Sequence, residues 1–267
     1  MQKVMIWILS ALFLFTIIRS TDTGWALDKR DVRSDMVYIK GGTLRMGKSR
    51  TPFETQPATA IVSAFYIDKF EVSNADYKKF IDATNYPAPF LDPEKYPWAR
   101  PYNWINRQFP PGADALPVVL VSWHDAVAYA KWRGKKLPTE VQWELAARTE
   151  QNLAYPWGNQ WDSTRCNTRA AGPGTAVTVN SYESGISKDG LHHLVGNVME
   201  WCADWYAVDS NPGVETKDPI GPEKGATRVV RGGSWKTISR ACLRGDARES
   251  FPPSARRADL GFRCVLD

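Results

Sequence analysis

The chain has 267 residues, 43 % hydrophobic and 24 % charged, which excludes a disordered chain, a collagen-like chain and a polytopic membrane protein. Its 12 Trp, 19 Gly and 18 Pro point to a loop-rich fold pinned by aromatic anchors, not to a helical bundle. The net charge of +5, from 34 basic and 29 acidic residues, is spread without a basic run, so no nucleic-acid partner is expected.

Lys3 precedes an uncharged run of 13 residues from Ile6 to Ile18. Spanning a bilayer takes about 20 residues, so this run has the length of a signal-peptide core. Gly24-Trp25-Ala26 places small residues at −3 and −1 of a cut after Ala26. Residues 1–26 are therefore expected to be a signal peptide, with an uncleaved anchor as the other reading, and 27–34 a linker. Export makes the protein periplasmic or extracellular, in a bacterial cell envelope, with no membrane span after cleavage. In such an oxidising compartment Cys166, Cys202, Cys242 and Cys264 allow two disulfides in three pairings. No CxxC occurs, so a zinc-knuckle pattern is absent.

Met36-Val37-Tyr38-Ile39-Lys40 reads as a strand stopped by Gly41-Gly42, with 43–47 as its hairpin partner. Residues 60–68 read as a further strand. Ser73-Asn74 offers an N-cap to a helix over 75–81, and residues 82–117, rich in Pro and aromatics without a period, read as a long loop. A second helix opens at Trp123-His124-Asp125 and ends at Gly134. A third runs from Pro138-Thr139-Glu140 through Ala147, with Thr139 and Gln142 at capping-box spacing. Beyond Arg148 the strand candidates are 195–204, 227–231 and 261–265. The pattern predicts an α+β domain without a division into two.

Several segments in fixed order carry a resemblance. They include Met36-Val37-Tyr38-Ile39 before Gly41-Gly42, Phe70-Glu71-Val72-Ser73-Asn74, and Lys136-Leu137-Pro138-Thr139-Glu140 with Trp143-Glu144. Further on come Tyr155-Pro156-Trp157-Gly158-Asn159, Val195-Gly196-Asn197-Val198-Met199-Glu200-Trp201, Arg231-Gly232-Gly233-Ser234-Trp235 and Leu260-Gly261-Phe262-Arg263-Cys264. Together they resemble the formylglycine-generating enzyme (sulfatase-modifying factor) family over residues 35–267. The resemblance implies a single compact domain of the duplicated C-type-lectin-like kind, with much irregular structure.

In the family's enzymes two cysteines, five residues apart, follow the Gly-Gly-Ser-aromatic motif, bind copper(I) and oxidise a substrate cysteine to formylglycine. The resemblance places the site at Ser234, Trp235, Thr237 and Cys242, with Thr237 replacing the first cysteine. Threonine is a poor copper(I) ligand, because soft thiolates suit that ion. Ala130 and Ala147 stand where the family's disulfide partners would be, and Cys166 and Cys202 are candidates to pair with each other.

Calcium is the cofactor the resemblance implies. One site matches the carbonyls of Gly196 and Val198 and the carboxylate of Glu200, with His193 at a position normally Asn or Asp. Another matches Asn167 and the carbonyl of Thr168, next to a loop shortened to Gly172-Pro173-Gly174. A branch of the family holds iron with three histidines. Here only His124, His192 and His193 occur, and strand alternation would send the last two to opposite faces. Arg240, Arg244, Arg248, Arg256, Arg257 and Arg263 read as salt-bridge partners or as the lining of a groove for an anionic or peptide partner. The expected function is action on, or maturation of, an exported partner protein, as an oxidoreductase of the formylglycine-generating type if active. The alternative is a non-catalytic lectin-like binding module or an accessory subunit of an envelope complex.

Overall fold

The computed structural model describes residues 32–46, 59–207 and 215–267, so the expected signal peptide lies outside the described residues. Strand β1 (Met36–Ile39) pairs with β4 (Phe65–Asp68), and β2 (Gly42–Arg45) pairs with β3 (Thr59–Val62), both antiparallel. One register runs through both pairs: Met36 faces Asp68, Ile39 faces Phe65, Gly42 faces Val62 and Arg45 faces Thr59. The expected hairpin between 36–40 and 43–47 is therefore not formed. β1 and β2 are successive pieces of one arm, and the expected strand 60–68 is the opposite arm, interrupted at Ser63-Ala64. The glycines set the outcome. Gly41 has φ +78°, and a Cβ there would lie 2.4 Å from the Val62 carbonyl oxygen. The two arms cross in close contact where a side chain would hold them apart.

Three small sheets result. β10 (Val265–Leu266) joins β4, giving the order β1-β4-β10. β6 (Thr216–Lys217) runs parallel to β3. The third sheet has the order β8-β7-β5-β9, from Glu249–Phe251, Arg228–Arg231, Met199–Trp205 and Leu260–Gly261. Residues 195–198, expected to start β5, are irregular because Gly196 and Asn197 adopt left-handed φ values of +82° and +57°. The expected last strand, 261–265, is split between β9 and β10.

Among the residues from 59 onward that the structure describes, three α-helices cover these sheets. In α1 (Asn74–Thr84), Ser73 caps the N-terminus through the Asp76 N–H, and Tyr77, Phe80 and Ile81 line the buried face. Helix α2 (Trp123–Trp132) has a reciprocal Ser122–Asp125 capping box. Helix α3 (Glu140–Arg148) has the expected Thr139–Gln142 box, and all nine of its residues are buried. The segment 82–117 carries a 3-10 turn at Pro97–Tyr102 and sends Trp104 into the core.

Aromatic packing dominates one half of the core. Tyr77 stacks on Tyr129 at 5.6 Å and meets Phe262 edge-on at 6.3 Å. A second cluster joins the ribbon to α3 through Leu44, Phe65, Ile67, Trp143 and Leu145. Trp201 belongs to the first cluster, and its indole N–H donates to the Val121 carbonyl at 3.1 Å.

Candidate functional site

Gly232 and Gly233 follow β7 with φ values of +93° and +67°, which turn the chain sharply at the sheet's end. A Cβ on Gly233 would lie 2.9 Å from Leu243 Cδ2, 3.1 Å from the Cys242 carbonyl and 3.3 Å from Thr237 Oγ1. The missing side chain thus lets Thr237 and Cys242 approach the same turn, as the expected spacing requires.

Their roles differ. The Ser234 N–H donates to Thr237 Oγ1 at 2.9 Å, and the Thr237 N–H returns to the Ser234 carbonyl at 2.9 Å. The threonine hydroxyl closes a local turn. Ser234 is 1 % exposed, and its hydroxyl donates to Asp259 Oδ2 at 3.0 Å. Lys236 and Arg257 surround that aspartate at 3.6 and 3.2 Å. Trp235 is buried, and its indole N–H donates to the Ala258 carbonyl at 3.4 Å. Cys242 is half-buried. It lines a cavity of about 220 Å³ with Gly232, Gly233, Met199, Arg231 and Arg248.

Arginines and glutamates build the wall behind the cavity. Arg231 pairs with Glu144, which Arg148 also engages. Arg248 grips Glu140 with two bonds, at 2.7 and 2.8 Å. These residues were not foreseen as a group. The signal available was Arg231 directly before Gly-Gly, but its partners lie on α3, remote in sequence. Of the six clustered arginines, Arg244 pairs with Asp246, Arg248 with Glu140, Arg256 with Asp125, Arg257 with Asp259 and Arg263 with Glu200. Arg240 lies over Trp161. Salt-bridge formation is their main use.

Of the donors matched to calcium, the Glu200 carboxylate is already engaged. Glu200 and Arg263 are both fully buried, and Arg263 donates to the two carboxylate oxygens at 2.7 and 2.6 Å. The Trp143 indole N–H adds a third bond to Glu200 at 2.8 Å. Burial alone would depress the Arg263 pKa, but Glu200 outweighs it and raises the pKa above the usual arginine value. Nearby, Glu71 accepts from Asn197 Nδ2 at 2.7 Å and from the Val198 N–H at 3.2 Å. Burial, then the charge of Glu200, pushes its carboxyl well above the usual range.

His193 Nε2 lies 3.2 Å from both the Thr178 carbonyl and Ser181 Oγ. A carbonyl only accepts, so this nitrogen carries the proton and offers no lone pair to a cation. At the other site, Asn167 Oδ1 is a buried acceptor with no partner among the described residues. The Thr168 carbonyl, however, already accepts from Gly172 N–H at 2.8 Å. Calcium takes six to eight oxygens. The Glu200 set, tied to Arg263, does not fit it as arranged, whereas at the other set Thr168 Oγ1 is, like Asn167 Oδ1, buried without a partner among the described residues.

Copper(I) lacks its donors: one cysteine and a turn-closing hydroxyl are not a thiolate pair. Among the described residues no three His, Cys, Asp or Glu side chains are grouped to hold a metal. His124 is exposed at the start of α2. The reason given for separating His192 from His193 does not hold. The pair is not on a strand, since His193 has φ +53°, and the two rings are 6.2 Å apart. The suggested Cys166–Cys202 disulfide is also not formed. Cys166 packs with Val195 and Leu243, and Cys202 packs in the separate cluster around Trp143.

Residues 25–267 match the family model of the sulfatase-modifying factor enzyme 1-like domain. The chain is 34 % identical to the formylglycine-generating enzyme of Thermomonospora curvata, over 89 % of this chain and 95 % of that one. Among solved structures it resembles Treponema denticola variable protein 1, with a TM-score of 0.70 at 22 % identity over 86 % of this chain and 94 % of that one. PvdO from Pseudomonas aeruginosa gives the same TM-score and identity over 87 % of this chain and 94 % of that one. At such identities the structural likeness concerns the fold, which is α+β and C-type-lectin-like.

Proposed function

The chain belongs to the sulfatase-modifying factor enzyme 1-like family, and from that premise we propose that it is an exported cell-envelope protein that acts on or matures a partner protein. It does so without a copper(I) pair. The observation that carries this reading is the division of labour around Gly233. Thr237 is spent on closing the turn, while Cys242 keeps its thiol beside a cavity of about 220 Å³. A segment of the partner would enter there and meet Cys242, with the buried Ser234, Trp235 and Asp259 holding the turn from behind. In relatives with both cysteines, copper would supply dioxygen activation. This chain's residues supply the opening, the thiol and Arg248 at its wall, while the Arg231 guanidinium is buried against Glu144 behind it.

The second reading, a non-catalytic binding module or accessory subunit, is favoured by the burial of Ser234 and Trp235 at 1 % and 6 % exposure. One experiment separates the readings. Metal content and oxidation of a cysteine-bearing peptide are measured for the mature protein, Cys242→Ser and Thr237→Cys. Wild type is expected to lack stoichiometric copper, and Thr237→Cys to gain copper(I) through a restored thiolate pair. Copper in the wild type that vanishes in Cys242→Ser would overturn the copper-free reading. Peptide modification by the wild type that is lost in Cys242→Ser supports the maturation role, and no modification by it leaves the binding module.

A further inference from the structure

On a face built by α2, the end of β5 and the loop after β6 lies a cleft of about 510 Å³. Its volume falls within the range of roughly 300–1,000 Å³ typical of small-molecule sites. Trp123, Val127, Leu137 and Ile220 give it an apolar lining. Arg228 sits in its wall between two indoles, 3.8 Å from the Trp123 ring centre and 3.5 Å from that of Trp205. Its Nη1 donates to the Ala203 carbonyl at 2.6 Å. Its Nε is buried with no acceptor among the described residues, and no carboxylate there lies within ion-pair distance.

The arginines around the Cys242 cavity are matched to carboxylates, whereas Arg228 holds its charge without one among the described residues, in a place that a ligand can reach. The stack also fixes the plane of the guanidinium, which lowers the entropy lost when an anion binds. Lys131 adds positive charge to the lining, and Lys135 and Lys136 are engaged by Asp68 and Asp267. Glu223 is the opposing carboxylate in the lining. Burial lowers the Arg228 pKa and Asp204 acts the other way, as for a cation short of a close counter-charge.

We propose that this cleft binds a ligand consisting of a carboxylate on a small apolar body, with Arg228 receiving the carboxylate and Trp123, Val127 and Ile220 covering the body. The site is separate from the Cys242 cavity and does not depend on the reading of it.

Calorimetric titration of the whole mature protein tests this, with N-acetyl-L-phenylalanine as probe and its uncharged amide as control. Saturable binding of the acid is expected, with the amide roughly tenfold weaker or more, the loss of one charge-assisted hydrogen-bonded contact. Arg228→Gln is expected to weaken the acid to the same extent. Ile220→Glu provides an independent check. Ile220 is 71 % exposed, so its replacement leaves the core intact while placing a negative charge at the cleft, and it too should weaken the acid selectively. Gly-Gly-Phe binding as tightly as the acetylated acid would identify peptide C-termini as the source, and weaker binding a free small acid. No saturable binding of the acid, equal affinity for the amide, or an unaffected Ile220→Glu would each overturn the proposal.

Discussion

His193 shows how one side chain carries a pH response. It is a non-glycine residue at φ +53°, and it spends its Nε2 proton on the Thr178 carbonyl and Ser181 Oγ. Burial holds its pKa down to about 3, against an ordinary value of 6.5. A depressed folded-state pKa means that the associated stability is present above about pH 6.5 and is lost as pH falls from there towards 3. His193→Asn removes the titration and puts a residue enriched in left-handed backbone at this position. Melting temperatures at pH 7 and pH 4 should therefore differ less in the variant than in the wild type. An equal or larger drop in the variant would refute the assignment. The sequence marked His193 as a departure at a ligand position but gave no sign of its direction, because a single left-handed residue leaves no periodic trace. The positions of Thr237 and Cys242 beside the turn were legible for the opposite reason, since both are reached by a short count from the Gly232-Gly233 turn.

Among the elements, α3 was the most legible and the ribbon the least. Capping is local chemistry: Thr139 and Gln142 lie three residues apart, and the helix follows from them. Strand pairing is not local. Gly41-Gly42 carries the signature of a hairpin turn, yet the arm passes straight through it because the opposite backbone offers close contact there. The N-terminus of α3 also carries a titratable support. Asp204 Oδ2 accepts the Glu140 N–H at 2.8 Å. Burial first, and then the neighbouring Glu140 charge, raises the Asp204 pKa from 3.8 to about 7. The folded state then holds a proton that the unfolded state has released, so this group's contribution to stability declines as pH rises from about 4 to 7 and is flat above. Asp204→Asn keeps an acceptor and removes the titration. The stability of wild type relative to Asp204→Asn should decline between pH 5 and pH 7.5, measured by urea unfolding. A constant difference across that interval would contradict the assignment.

For the molecule as a whole, the decisive contact is Glu200 with Arg263. Both are fully buried, and Arg263 also donates to the carbonyls of Asp68, Lys69 and His192. This guanidinium joins β5, the end of β4 and the loop before Gly196. Arg263→Met would leave a buried carboxylate uncompensated, a loss of about 3–5 kcal/mol by urea denaturation. The double variant with Glu200→Gln should recover part of that loss. A single variant as stable as wild type would show that the pair is dispensable. Because a guanidinium engages both oxygens of Glu200, chelation or added calcium should move the melting temperature equally in wild type and in Glu200→Gln. A calcium-dependent rise confined to the wild type would mean that Glu200 exchanges Arg263 for the ion. The motif Leu260–Cys264 was readable in the sequence, but the partner of its arginine was not, since it stands 63 positions away.

That separation has a consequence for the order in which the protein can form during synthesis. Glu200 leaves the ribosome well before Arg263, and β4 waits for β10, whose Val265 pairs with Ile67 from far along the sequence. Until the last strand has emerged, the central sheet would have to bury a bare carboxylate and the first sheet would lack an edge. Stable folding is thereby postponed until Arg263 and β10 have been synthesised, and the residues made before them stay loose until then.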